Sequence, residues 1–228
     1  MNHRKPEQIQ KDFDRIAALE EHSWNHNSHY HKYLIKHLPG QSDRILEIGC
    51  GKGRLSREIA GLGNEILGID LSPKMIASAI EQSKGYSNLT YTTADYFEVD
   101  FGVHSFDAII SVATIHHMDL GDFLKKAVKE LKPGGQLLIL DLFEETGLID
   151  SLLNWVAMPV SKGYKFIKNG RITSTTEEDE AWMAHGQHDE YMTIKAIKAI
   201  GRRMLPGAKI KRHLLWRYSI IWEKPIIA

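Results

Sequence analysis

Up to residue 142, short apolar runs alternate with amphipathic stretches. RILEI (44–48), EILGID (65–70), LTYTTAD (89–95), FDAIISVA (106–113) and QLLILDL (136–142) read as strands. FDAIISVA is almost wholly apolar, as expected for a parallel strand covered on both faces. Between them, RLSREIAGLG and LGDFLKKAVKELKPGG carry helical periodicity, the second closed by Pro133-Gly134-Gly135. Ser72-Pro73 predicts a helix start, because Ser72 can cap and Pro73 lacks only an N–H that would be unpaired there. That helix carries Met75, Ile76, Ala79 and Ile80. This alternation predicts an α/β fold with a doubly wound sheet.

The flanks differ. Residues 6–37 are helix-compatible, with Phe13, Ile16, Ala17, Leu19, Tyr30, Tyr33, Leu34 and His37 at helical spacing, and Pro39-Gly40 ends them. After residue 142 the rhythm breaks. LIDSLLNWVAMPV predicts an apolar helix, and KNGRITSTTEEDE a polar, loop-rich segment. A helix returns at 193–204, then AKIKRHLL and WRYSIIWEKP read as two closely joined strands. The expected organisation over 1–228 is one domain. It has a helical cap (1–40), a ligand-binding core (42–142), an insertion or lid (143–192) and a C-terminal helix with two strands (193–228).

Composition narrows the function classes. With 29 Lys+Arg against 29 Asp+Glu, the formal net charge is zero. That balance argues against a nucleic-acid binder held by phosphate contacts. The lone Cys50 cannot form an internal disulfide, the first residues lack the shape of a signal peptide, and no apolar run approaches a membrane span. The expectation is a cytoplasmic protein with no membrane partner.

The chemistry concentrates in EIGCGKGRLS (47–56), an E-x-G-x-G-x-G pattern between a strand and a helix. Glycines permit a sharp turn and let a ligand lie against bare backbone at the carboxyl edge of the sheet. A dinucleotide fingerprint would need glycine where Arg54 stands, and no Gly-Lys-Ser/Thr follows as a P-loop requires. Further carboxylates suit an adenosine ligand. Asp70 ends the second strand, where it could accept from the ribose hydroxyls, and Asp95 ends the third, where it could accept from the adenine amino group. Leu71 and Tyr96, each beside its acid, could sandwich the adenine ring.

With these residues the chain resembles the class I S-adenosylmethionine-dependent methyltransferases of the broad small-molecule type. The resemblance spans about residues 42–142, through LEIGCGKG, GIDLSPKMI, TAD, SVATIHHMD and LKPGGQLLI. It implies a Rossmann-like seven-stranded sheet of order 3-2-1-4-5-7-6, with strand 7 antiparallel and helices on both faces. It also implies S-adenosyl-L-methionine as cofactor, with S-adenosyl-L-homocysteine as product. The cofactor residues would be Glu47, Gly49, Cys50, Gly51, Gly53, Asp70, Leu71, Asp95, Tyr96 and Ser111, with Tyr30 as an N-terminal cover. Cys50 has two readings, a small packing residue between glycines or a reactive thiol.

Methyl transfer from a sulfonium needs alignment and exclusion of water; a base is needed only when the acceptor must lose a proton. His116 and His117, directly after the fourth strand, are the candidate catalytic residues, as general base or for substrate orientation. Asp119 reads as a helix cap. The density of histidine in WNHNSHYH raises a different possibility. On one helix His22, His26 and His29 would share a face and could bind zinc, be solvent-exposed or hydrogen-bonded, or form part of a cover. His26, His29 and Trp155 are taken as candidate substrate contacts, and no metal ligands are assigned. The function expected is methyl transfer to a small-molecule acceptor by in-line displacement, in a monomer or homodimer. The alternatives are methylation of RNA or protein, through KIKRHLLWR (209–217) with Arg202 and Arg203, or cofactor binding without catalysis.

Overall fold

A computed structural model describes residues 5–20, 22–170, 175–187 and 189–226; within these, the side chains of 148–151 are not described. Five parallel strands form its centre: β1 (Ser42–Ile48), β2 (Gly63–Asp70), β3 (Leu89–Thr93), β4 (Phe106–Val112) and β5 (Leu131–Asp141). Two more, β6 (Lys209–Arg212) and β7 (Tyr218–Glu223), complete one sheet of order β3-β2-β1-β4-β5-β7-β6. β7 runs antiparallel to both β5 and β6. Ile45, Leu46, Ile109, Ile110, Leu137, Leu138, Ile139 and Leu140 are fully buried, as strands covered on both faces require.

The helices are α1 (Pro6–Ile16), α2 (His31–Ile35), α3 (Arg54–Glu58), α4 (Pro73–Gln82), α5 (Leu120–Glu130), α6 (Leu148–Asn169), α7 (Thr176–Gly186) and α8 (Ile194–Met204). Local chemistry fixes several ends. Ser72 caps α4 by accepting from Met75 N at 3.1 Å, with Pro73 following. Asp119 caps α5 by accepting from Asp122 N at 2.9 Å, as the sequence suggested. The α5 helix and β5 abut, so Lys132-Pro133-Gly134 lies inside the strand and not in a turn before it.

Two expectations are corrected. Residues 6–37 are not one helix: α1 stops at Ile16, and Asn25 accepts from Asn27 N and Ser28 N, a side-chain turn that competes with helical pairing. His22, His26 and His29 therefore do not share a helix face. Part of the polar stretch 168–180 is helical: Thr175 and Glu178 form a reciprocal capping box that starts α7, while residues 171–174 lie outside the described residues. Trp155, taken as a candidate substrate contact, stands 83% exposed on α6, whose body-facing side is Ala157, Val160 and Ser161.

Candidate active site

β1 leaves the sheet at Ile48 and turns through three glycines with positive φ: Gly49 (72°), Gly51 (51°) and Gly53 (72°). The turn is pinned to β2, because Gly49 N and Cys50 N both donate to Ile69 O at 2.8 and 3.0 Å. The three glycines do different work. A Cβ on Gly49 would lie 2.0 Å from Thr114 Oγ1, and one on Gly53 would lie 2.5 Å from the Tyr91 hydroxyl. A Cβ on Gly51 would meet nothing within 4 Å. Gly51 is thus the bare, open backbone of the turn, a cradle that a ligand can fill.

Two carboxylates underlie it. Asp70 accepts from Gly51 N and Ser72 N, both at 2.9 Å, so it braces the turn from the end of β2. Burial pushes its carboxyl above the usual range. Glu47 is buried at the end of β1 and accepts a short hydrogen bond from the Ser56 hydroxyl. Desolvation raises its pKa from 4.5 to about 8. A buried carboxyl next to an open cradle suits a ligand that brings positive charge.

The other expected cofactor residues divide. Asp95 is half-buried beyond β3 and accepts from Phe97 N at 2.8 Å. Leu71 is half-buried beside Asp70. The Tyr96 side chain, expected on the adenine ring, instead turns into the layer beneath α5, where its hydroxyl donates to Glu130 Oε2 at 2.8 Å. Phe97, next in sequence, is the exposed ring. Ser111 donates to Ile48 O at 2.9 Å and ties β4 to β1. Cys50 packs with Ile76, Ala79 and Tyr91, and burial holds its thiol far above the reactive range. Tyr30 lies between His29 and His213, and its hydroxyl accepts from Leu215 N at 3.1 Å. Its polar atom is therefore engaged by the segment between β6 and β7.

β4 ends at Val112 and is followed by Ala113 with φ 52°, a left-handed conformation that costs a non-glycine residue about 1–2 kcal/mol. Thr114 follows, pressed on Gly49, and a 3-10 turn then carries His116 and His117. Asp141, at the end of β5, accepts from His116 N at 2.8 Å and pairs with His116 Nδ1 at 2.7 Å. A second group arrives from α7 and the chain just after it. His185 Nε2 lies 3.4 Å and His117 Nδ1 3.5 Å from the Asp189 carboxylate, and His116 Nε2 lies 4.0 Å from it. Asp12 of α1 sits 3.3 Å from His185 Nδ1.

α1 and α7 pack together and cover this edge. Phe13 meets the rings of His117 and His185, and Asp14 accepts from the Ser72 hydroxyl at 2.6 Å. His26 and His29, expected substrate contacts, belong to a neighbouring layer of rings under α6. His26 Nε2 pairs with Ser161 Oγ at 2.7 Å, and Trp24 stacks on Tyr164. Burial lowers the pKa of His26 to about 4, so its ring is neutral. His22 is separate again, 2.5 Å from Glu178 on α7. Arg217 stands between these layers, buried, with its Nε donating to Asn27 at 2.7 Å. Burial lowers its pKa to about 10, opposed by Asp141 and Tyr191. Sequence reasoning passed over Asp141, His185, Asp189 and Arg217. Asp141 alone had a signal, as an acid closing a strand beside His116.

Residues 46–139 match the family model described as a methyltransferase domain. Over these residues the chain is similar to a methyltransferase domain. The sheet order expected of the class I S-adenosylmethionine-dependent group is the order found, and S-adenosylmethionine is the cofactor of that group. A demethylmenaquinone methyltransferase of Tropheryma whipplei is 30% identical over 139 residues, covering 58% of each chain. An uncharacterized methyltransferase of Mycobacterium tuberculosis is 25% identical over 207 residues, covering 89% of this chain and 98% of its own. Among solved structures, the phosphoethanolamine N-methyltransferase 2 of Haemonchus contortus, in complex with phosphomonomethylethanolamine and S-adenosylhomocysteine, superposes with a TM-score of 0.64 at 18% identity. That match covers 86% of this chain and 52% of the other and is a likeness of fold. The present chain thus spans 58% of the first relative's length. The open backbone at Gly51, the braced Asp70 and the buried Glu47 fit the cofactor of such a domain.

Proposed function

We propose that this protein transfers a methyl group from S-adenosylmethionine to a small-molecule acceptor by in-line displacement. The observation that carries the reading is the contact of Thr114 with Gly49. It sets the chain bearing His116 and His117 against the glycine turn whose backbone is open at Gly51. When bound, the cofactor supplies a methyl group on a sulfonium, whose departing sulfur needs no acid.

The residues of the chain would divide the remaining work. Asp70 holds the Gly51 amide in place and presents its carboxylate at the end of β2; Asp95 presents a carboxylate just beyond β3. Glu47 places a buried carboxyl beneath the turn, whose charged form a cationic donor would favour. His116, its ring fixed by Asp141 through Nδ1, turns Nε2 toward the acceptor side and can position or deprotonate an acceptor hydroxyl. α1 and α7 exclude water from above. The zero net charge supports a small molecule over RNA as acceptor, and a relative that bears a small-molecule methyltransferase name supports the same choice.

The test is transfer of labelled methyl from the donor into an extract separated into small molecules, RNA and protein. Label in the small-molecule fraction is expected. Label confined to RNA or protein would overturn the acceptor class, and no label in any fraction, despite measured donor binding, would leave a binding protein.

A further inference from the structure

We propose that His116, His117, His185 and Asp189 form a site for one divalent transition-metal ion of the zinc class, at the edge of the sheet beneath α1 and α7. One donor atom from each of the four lies within 4.8 Å of the others. The set is buried: the three histidine side chains are at most 6% exposed and that of Asp189 is 1% exposed.

The distances suit a shared ion. Ring nitrogens stand 3.4 and 3.5 Å from the Asp189 oxygens, with the third at 4.0 Å. A good N–H to O hydrogen bond spans about 2.7–3.2 Å. Ligand atoms about 2.1 Å from a tetrahedral ion stand roughly 3.4 Å from one another. Two of the three imidazoles are also oriented as metal ligands commonly are, with a carboxylate behind the distal nitrogen. Asp141 pairs with His116 Nδ1 at 2.7 Å and Asp12 lies 3.3 Å from His185 Nδ1, so each ring turns Nε2 toward Asp189. Three imidazoles with one carboxylate suit zinc, iron(II) or cobalt(II) and not magnesium or calcium, which prefer oxygen.

Such an ion would join α7 to the exit of β4. With the ion bound, His116 Nε2 would be a ligand and no longer a base, and the ion would itself favour the deprotonated form of an acceptor hydroxyl. The inference stands apart from methyl transfer and is read without donor or acceptor. Metal-depleted protein is titrated with Zn2+ by calorimetry and with Co2+ by visible absorption. One equivalent should bind, and Co2+ should give the visible bands of a four-coordinate nitrogen and oxygen site. His185→Gln and Asp189→Asn should each lower affinity at least 100-fold. Asp141→Asn should lower it roughly 10- to 100-fold by freeing the His116 ring. His22→Gln should have no effect. Failure of the wild-type protein to bind stoichiometrically, or binding unchanged in His185→Gln, would overturn the proposal and leave a hydrogen-bonded histidine–carboxylate network. If a variant does not fold, the wild-type cobalt spectrum decides by the presence or absence of those bands.

Discussion

Replacing Glu47 by Gln should stabilise the ligand-free protein at alkaline pH while weakening donor binding. Glu47 is fully enclosed at the end of β1, and its pKa rises from 4.5 to about 8 because burial penalises the charged form. Between those values the folded protein holds a proton that the unfolded chain has released. Stability is therefore whole below pH 4.5 and declines as pH rises through 8. At about 1.4 kcal/mol per pH decade, this interval corresponds to roughly 5 kcal/mol. Gln has nearly the same shape, keeps an oxygen for the Ser56 hydroxyl and does not titrate. Urea unfolding of both proteins from pH 4.5 to 9 isolates the effect, since His26 and His213, both lowered to about 4, titrate equally in each and cancel in the difference. The variant's advantage should be near zero at pH 4.5 and reach about 3–5 kcal/mol above pH 8. Calorimetry at pH 8 should show donor affinity reduced at least tenfold. Parallel stability curves across the range would refute the reasoning, because Glu47 would then not be buried as an acid.

Asp70→Ala should abolish measurable donor binding and also cost roughly 2–3 kcal/mol of stability, because Gly51 N and Ser72 N lose their acceptor; Asp70→Asn should recover part of the stability in thermal unfolding. Gly51→Ala and Gly49→Ala should separate binding from folding. The first meets open space and costs about 1 kcal/mol of backbone strain but should lose most donor affinity, whereas the second drives a methyl into Thr114 and should unfold at markedly lower urea. Tyr96→Phe removes the bond to Glu130 but not its pairing with Lys126 at 2.7 Å. It should lower stability by about 1–2 kcal/mol with donor affinity unchanged in calorimetry, in keeping with a core residue.

How much of this was legible depended on how local the determining physics is. The parallel strands were readable because burial on both faces demands runs such as Ile109–Ile110 and Leu137–Leu140. The glycine turn was readable because a sharp turn beside a ligand tolerates few residues. Tyr96 was misplaced because alternation fixes the side of a chain only where a strand continues, and β3 ends at Thr93. The break at 17–27 escaped notice because apolar spacing ignores the Asn25 turn that outcompetes it. The histidine–carboxylate cluster was half visible: His116 and His117 adjoin in sequence, but His185 arrives on a helix whose register is set by packing against α1.

That packing gives α1 a role beyond covering. Its three successive residues Asp12, Phe13 and Asp14 point about 100° apart and so can address three different neighbours. Asp12 meets His185 of α7, Phe13 meets the rings of His117 and His185, and Asp14 meets Ser72 at the start of α4. Ser72 also gives its backbone N–H to Asp70, the acid that braces the glycine turn. A path of direct contacts thus runs from the glycine turn through Asp70, Ser72 and α1 to the histidines. The glycine turn and α7 are therefore joined through α1: a movement of α7 that exposed the histidines would have to break the Asp12 and Phe13 contacts or carry α1, and with it the Ser72–Asp70 brace, out of place.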